Sequence, residues 1–92
     1  MITEIEKRLN ISADEILGNN RKMDVSIVRQ LYWKLLKEKK GFSYSEIARL
    51  NGRDHSTIVY GIKRVNGFLE MRDKETIDLW NKIKDIEILM KR

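Results

Sequence analysis

Five consecutive polar residues, Arg53-Asp54-His55-Ser56-Thr57, stand between an Asn-Gly pair and a helical apolar pattern. The start of a helix needs only one capping side chain, so a run of five indicates a further task. A short carboxylate can accept a hydrogen bond from cytosine N4, hydroxyls can bond bases or phosphates, and an imidazole can lie against a thymine methyl group. The free amides of the first turn can also bind a phosphate. The run therefore predicts a surface that reads duplex DNA.

Each of these residues also has a structural interpretation. Asp54 can serve as an N-cap alone, His55 can be an ordinary surface or core histidine, and Arg53 can form a local ion pair. Chemistry at His55 is excluded on two grounds. The chain has no second histidine and no cysteine to share a metal ion. Neighbours on a helix point about 100° apart, so His55 and Ser56 cannot pair as base and nucleophile.

The elements around the run have the layout of a helix-turn-helix over about residues 43–66. Ser43-Tyr44-Ser45-Glu46 is a capping box that opens a short helix with Ile47, Ala48 and Leu50. Asn51-Gly52 suits a left-handed turn. A longer helix then begins near Asp54. In this motif the second helix lies in the major groove with its N-terminal residues on base edges.

The apolar spacing elsewhere is also helical, and the sequence predicts an all-α bundle of five or six helices. An opening helix carries Ile2, Ile5 and Leu9, and a capping box at Ser12 starts one short turn that ends at Gly18. A long helix, capped by Asp24, runs to about Lys39 and stops at Gly41. The last apolar positions of the chain indicate a C-terminal helix with Ile77, Trp80, Ile83 and Met90. We expect both tryptophans, Trp33 and Trp80, to lie in the core.

The excess of positive over negative charge lies in the middle of the chain. Residues 21–64 hold eleven Lys and Arg against four Asp and Glu, a net charge of +7, whereas the whole chain has +5. A solvated helix face is the simple explanation of such a run. Its coincidence with the helix-turn-helix favours a polyanionic partner.

Composition narrows the class of protein further. The 92 residues include no cysteine and no proline, and no stretch has the roughly 18–20 apolar residues of a membrane span. No paired carboxylates, nucleophile–base pair or metal ligand set can be found. We therefore expect a cytoplasmic, nucleoid-associated protein with no membrane, metal or cofactor partner, and not an enzyme.

The run GRDHSTIVYGIKRV, together with ISADEIL, NNRK, VRQLYWKLLKE and SYSEIARLNGRDHST, resembles the C-terminal DNA-binding domains of the bacterial DnaA replication initiators. The resemblance extends from about residue 2 to residue 86. It implies an all-helical domain with a helix-turn-helix related to that of the Trp repressor, which binds DnaA boxes in double-stranded DNA. It also implies a role in replication initiation or its regulation, with initiator or replication proteins as possible partners.

The resemblance implies roles residue by residue. Arg21, in a basic loop with Lys22, matches an arginine that enters the minor groove. Arg29 and Lys37 match phosphate-contacting positions, and Asp54, His55 and Ser56 match the residues that read bases in the major groove. The full candidate DNA-binding set is Arg21, Lys22, Arg29, Lys37, Ser43, Tyr44, Ser45, Arg53, Asp54, His55, Ser56, Thr57 and Lys63.

Three departures from the family pattern leave alternatives open. The turn reads LNGRDH in place of FGGRDH, the segment from Ile47 to Arg53 is one residue shorter, and Ser45 replaces a common proline. No Walker A motif is present, so we expect a single DNA-binding domain over residues 1–92 without an ATPase, either excised or stand-alone. The alternatives are a DnaA-like transcriptional regulator and a protein-interaction module with vestigial DNA binding, in which the C-terminal helix contacts a partner instead of closing the core.

Overall fold

A computed structural model describes residues 2–18 and 22–86. In these ranges the chain forms six helices and no strand, which confirms the predicted all-α fold class. The helices are α1 (Ile2–Leu9), α2 (Ala13–Leu17), α3 (Met23–Lys40), α4 (Tyr44–Asn51), α5 (His55–Glu70) and α6 (Lys74–Ile83). Met90 of the predicted C-terminal helix and Arg21 of the candidate site lie outside the described residues.

Helix α3 is the central element, and four of the other five described helices pack around it. It contacts α2, α4, α5 and α6, and all six of its residues from 31 to 36 are buried. A helix surrounded in this way must be largely apolar on every side, as the segment LYWKLL is. The helix ends at Gly41, whose φ of +73° places it in the left-handed region. Lysines in the last turn complement the helix dipole.

The N-terminus of α3 differs from the prediction. The helix begins at Met23, so Lys22 and not Asp24 occupies the N-cap position. The Asp24 carboxylate lies inside the first turn and accepts a hydrogen bond from the Val25 amide at 2.9 Å. A negative side chain is stabilising there without being the cap. The sequence shows the acidic residue but does not distinguish the N-cap from a position two residues later.

Both predicted capping boxes are confirmed. In α2 the Ser12 hydroxyl accepts from the Glu15 amide at 3.2 Å, and in α4 the Ser43 hydroxyl accepts from the Glu46 amide at 3.1 Å. The Ser43 amide donates back to the Glu46 carboxylate at 2.8 Å. These reciprocal bonds satisfy amides that have no acceptor within the helix. They fix the starts of α2 and α4 by local sequence alone.

Helix α6 closes the core. Ile83 and Ile86 are buried, and Leu79 and Trp80 pack against the core cluster. The other tryptophan, Trp33, belongs to the core cluster itself. The Arg8 guanidinium donates to the Asp85 carboxylate at 2.7 Å and ties the end of α6 to α1. Of the apolar positions predicted for this helix, Trp80 and Ile83 are therefore used inside the fold. None of the described helices has both the length and the apolar character of a membrane span.

Acidification should lower the stability of the fold through the capping carboxylates. Hydrogen bonds from Ser43 hold the pKa of Glu46 below its ordinary value, and those from Thr76 do the same for Asp73. A carboxylate whose pKa is lower in the folded state stabilises above its unfolded pKa, and this stabilisation is lost as the pH falls through the folded pKa. We expect the thermal midpoint to fall progressively from about pH 5 downward. Thermal unfolding at pH 7 to 3 measures this loss.

Glu46→Gln is the matched control, because glutamine can complete a capping box without titrating. Its midpoint should fall less steeply between pH 5 and pH 3 than that of the wild type. Parallel curves for the two proteins would contradict a contribution of Glu46 to acid sensitivity.

Candidate nucleic-acid interface

The turn between α4 and α5 forms the centre of the candidate site. Gly52 ends α4 with a φ of +63°, and the Arg53 amide returns to the Ala48 carbonyl at 2.9 Å. A left-handed residue at this position is the common way to close a helix, and it requires little side-chain bulk. The chain then enters α5 at His55. The predicted helix-turn-helix is confirmed, and its second helix continues to Glu70.

The inner face of α5 fixes its position on the domain. Ile58, Gly61, Ile62 and Val65 are buried against the rest of the fold. A Cβ atom at Gly61 would lie 2.6 Å from Cζ3 of the Trp33 indole. Only glycine allows α5 to approach α3 this closely. The opposite face of the helix is consequently held at a defined distance from α3.

The tip of α5, defined here as residues 54–57, presents four exposed polar side chains in succession. Asp54 occupies the N-cap position, but its carboxylate makes no capping hydrogen bond. Its backbone carbonyl accepts from the Thr57 and Ile58 amides at 3.1 and 3.3 Å. Among the described residues, no hydrogen bond engages the side chains of His55, Ser56 or Thr57. The tip therefore offers an acceptor, an imidazole and two hydroxyls to solvent.

An aromatic contact joins the tip to two other helices. The Tyr44 ring meets the His55 ring edge-to-face, with centroids 5.8 Å apart. The Lys37 ammonium lies over the same tyrosine ring, 4.5 Å from its centroid. Such contacts are each worth on the order of 0.5–1 kcal/mol at exposed sites. The contact with Tyr44 orients His55, and the contact with Lys37 joins the end of α3 to the start of α4, so that three helix ends lie in one cluster.

Two predicted site residues bind the backbone of this chain. Arg29, which is only 6% exposed, donates from Nε to the Ile16 carbonyl at 2.7 Å. Arg53 donates from Nη2 to the Gly18 carbonyl at 2.5 Å, and its guanidinium lies 5.6 Å from the centroid of the Trp33 ring. Burial lowers the pKa of Arg29, and the nearby positive charge of Arg53 lowers it further. The structure thus places both arginines between helices.

The remaining predicted residues are exposed or partly buried. Lys22, Lys63 and Ser45 are exposed, and Ser43 is exposed while serving in its capping box. Lys37 and Tyr44 are partly buried by their mutual contact. The structure brings together the tip, Tyr44 and Lys37.

Tyr60 is a surface residue that the sequence reasoning missed. Its side chain is 65% exposed, which is unusual for an aromatic residue in a small domain. It follows Ser56 by four residues and precedes Lys63 by three, so the three share the outer face of α5. That spacing was the available signal. The adjacent Arg64 instead packs inward and donates to the Gln30 side chain at 3.0 Å.

Metal ligands and surface clefts in the described part of the chain bear on other kinds of site. No group of three or more His, Asp or Glu residues there could hold a metal ion. A surface cleft between α3 and α6 is lined by three apolar residues and three carboxylates, Met23, Ile27, Leu79, Asp24, Glu75 and Asp78. Such a negative cleft is unsuited to nucleic acid.

Comparison with known proteins places the chain in a family. The family model described as "Bacterial dnaA protein helix-turn-helix" matches residues 1–65. The chain is 35% identical over 65 residues to the chromosomal replication initiator protein DnaA of Kosmotoga olearia, which is 71% of this chain and 14% of that protein. It is 31% identical over 86 residues to the DnaA protein of Thermus thermophilus, covering 92% of this chain and 20% of that protein.

The DnaA protein of Mycoplasma pneumoniae shares 33% identity over 73 residues, 79% of this chain and 17% of its own length. The chain thus spans about one fifth or less of each of these relatives. No solved structure gives a significant match.

Proposed function

This chain belongs to the bacterial DnaA helix-turn-helix family, a family of DNA-binding domains and not of enzymes, and on that premise we propose that it binds double-stranded DNA in a sequence-specific manner. The target is a site of the DnaA-box type. The tip of α5 enters the major groove, and the basic segment that precedes α3 enters the adjacent minor groove. The biological role is replication initiation or its regulation.

The observation that carries the proposal is the exposure of the tip of α5 on a helix that is anchored in the core. Residues 54–57 are four exposed polar residues in succession at the start of the second helix of a helix-turn-helix. The next residue along the chain, Ile58, is buried and, with Ile62 and Val65, anchors the helix in the core. Base-reading side chains need both features, because they must reach beyond the protein surface and must keep a fixed register on the duplex.

The chemistry of the tip matches the edges of base pairs. The Asp54 carboxylate can accept from the exocyclic amine of cytosine, and the Ser56 and Thr57 hydroxyls can bond either bases or phosphates. The His55 imidazole, held by Tyr44, offers a flat apolar face to a thymine methyl group and a nitrogen to a base edge. Tyr60 and Lys63 extend this surface along α5 toward the backbone of one strand.

Phosphate contacts set the position of the domain in this proposal. Lys37, Lys63 and Lys22 supply positive charge around the tip, and the start of α4 at Ser43–Ser45 sits on the backbone. Arg21 is assigned to the minor groove from the family resemblance alone. The net charge of +7 over residues 21–64 supports attraction of the whole segment to DNA.

Lys37→Ala should weaken binding to all duplexes about equally. A phosphate contact carries no sequence information, so its loss leaves the ratio of affinities for specific and scrambled sites unchanged. The slope of log K against log salt concentration should become less steep by about one unit. Fluorescence anisotropy titrations of both duplexes at several salt concentrations measure the ratio and the slope.

An unchanged salt slope in the Lys37→Ala protein would contradict the phosphate contact. A change in the ratio would assign Lys37 to positioning of the Tyr44–His55 pair instead.

Titration with duplexes of random sequence at low salt separates the proposal from the protein-interaction alternative. A DNA-binding domain with this charge should bind such duplexes with the weak affinity of non-specific binding, about 10⁻⁶ M or tighter at low salt. An absence of binding would overturn the proposal. That result would favour a partner protein with a basic, partly apolar surface, which the negative cleft between α3 and α6 could accept.

A further inference from the structure

Helix α2 is held by two arginines at its C-terminal end. The last carbonyls of a helix lack partners within it. At the end of α2, each carbonyl from Glu15 to Gly18 accepts a hydrogen bond from an arginine side chain. Arg29 donates to the Ile16 carbonyl at 2.7 Å and to the Glu15 carbonyl at 3.0 Å. Arg53 donates to the Leu17 carbonyl at 3.2 Å and to the Gly18 carbonyl at 2.5 Å. Four consecutive carbonyls thus accept from two guanidinium groups.

The two arginines come from different helices and reach the same point. Arg29 projects from the middle of α3, and Arg53 is the second residue of the turn before α5. Arg53 also stacks over Trp33 of α3. The end of α2 is therefore fixed to the central helix and to the entrance of the second helix of the motif at once.

The electrostatics of this arrangement are favourable only with α2 in place. Two guanidinium groups close enough for Arg53 to lower the pKa of Arg29 repel each other. The carbonyl oxygens between them carry the negative end of the α2 dipole, which stabilises cations at that position. Hydrogen bonds to charged donors are also stronger than neutral ones. Removing either arginine leaves orphaned carbonyls at the end of α2.

We propose that Arg29 and Arg53 are positioning residues that clamp the end of α2 against the start of α5. The clamp fixes the chain where it leaves α2 at Gly18 relative to the tip of α5. In the proposed function, the tip of α5 and the basic segment that precedes α3 contact different grooves. They must keep a constant separation to read one DNA site. This inference rests on the proposed DNA-binding function, and it assigns both arginines to the backbone of α2 instead of to phosphates.

The test compares Arg53→Met with Lys63→Met, since both remove one positive charge and introduce the same side chain. Loss of the clamp should lower the ratio of affinities for specific and scrambled duplexes by on the order of tenfold, the equivalent of one lost base contact. The salt slope of Arg53→Met should stay that of the wild type. Lys63→Met should leave the ratio unchanged and flatten the slope by about one unit. A flattened slope with an unchanged ratio in Arg53→Met would overturn the proposal.

A second measurement tests the clamp without DNA. The Gly18 amide donates to the Asp14 carbonyl at 3.0 Å at the end of α2. Its hydrogen exchange should be at least tenfold faster in Arg53→Met than in the wild type, because local opening becomes easier. Lys63→Met should exchange at the wild-type rate. Equal exchange rates in all three proteins would overturn the clamp. A wild type that does not discriminate between the duplexes would instead overturn the proposed function, and the exchange result would still test the clamp.

Arg53→Lys serves if Arg53→Met does not fold. Lysine keeps the charge but lacks the planar set of donors that suits several carbonyls at once. The ratio should fall and the Gly18 amide should exchange faster at an unchanged salt slope. A wild-type ratio together with wild-type exchange would show that charge alone is sufficient and would overturn the clamp.

Discussion

Replacement of His55 by alanine should reduce the ratio of affinities for specific and scrambled duplexes by on the order of tenfold, since one base contact is worth about 1–3 kcal/mol of discrimination. His55 is exposed at the first position of α5, and the Tyr44 ring holds it edge-to-face at 5.8 Å. Truncation removes the imidazole without disturbing a buried residue. The free energy of unfolding should therefore fall by no more than about 1 kcal/mol, the value of the lost contact with Tyr44.

Tyr44→Phe provides a control for the orientation of His55, because it keeps the aromatic ring that contacts the imidazole. Its affinity ratio should equal that of the wild type. Anisotropy titrations at one salt concentration measure both proteins against the same two duplexes. A wild-type ratio in His55→Ala would remove His55 from the reading surface and leave discrimination to Asp54 and the hydroxyls of the tip.

Gly61→Ala should destabilise the fold, against the usual effect of this change inside a helix. Alanine is favoured over glycine in a helix by about 1 kcal/mol. Here the added Cβ would lie 2.6 and 2.8 Å from two Trp33 ring carbons and 3.0 Å from Gln30 Cγ. Trp33 is 2% exposed, so the ring cannot move without disturbing the core. Overpacking of this kind costs about 1–3 kcal/mol, so after the gain in helix propensity we expect a net loss of up to about 2 kcal/mol.

Gly67→Ala is the matched control in the same helix. A Cβ at Gly67 would meet no atom within 4 Å. This variant should gain up to about 1 kcal/mol from helix propensity alone. Chemical denaturation of the two variants should give midpoints on opposite sides of the wild type. An equal gain in both would contradict the close approach of α5 to Trp33.

The local parts of the fold were predictable because their causes lie within a few residues. The capping boxes at Ser12 and Ser43 and the glycine stops at Gly41 and Gly52 depend on neighbours at most five positions away. Their backbone geometry is determined by those side chains in any context. The apolar faces followed from helical spacing for the same reason. The end of α3 was predicted to within one residue and its start was displaced from Asp24.

The partners of the arginines could not be predicted from the sequence. Arg29 binds carbonyls 13 and 14 residues away, and Arg53 binds carbonyls 35 and 36 residues away. Backbone carbonyls have no sequence signature, so nothing along the chain distinguishes a guanidinium that binds them from one that binds a phosphate. Lys34 shows the same effect. It is 8% exposed and pairs with Asn66 of α5 and Glu38.

Selection of bound sequences from a random duplex library tests the central claim, that the tip of α5 reads base sequence, most directly. The wild type should enrich a defined motif, and a motif similar to a DnaA box would favour a role at origins over transcriptional control. His55→Ala should enrich the same motif with relaxed preference at one or two adjacent positions, and Lys37→Ala should enrich it unchanged. A wild-type protein that enriches no motif, or a His55→Ala protein with an unaltered preference at every position, would contradict the claim.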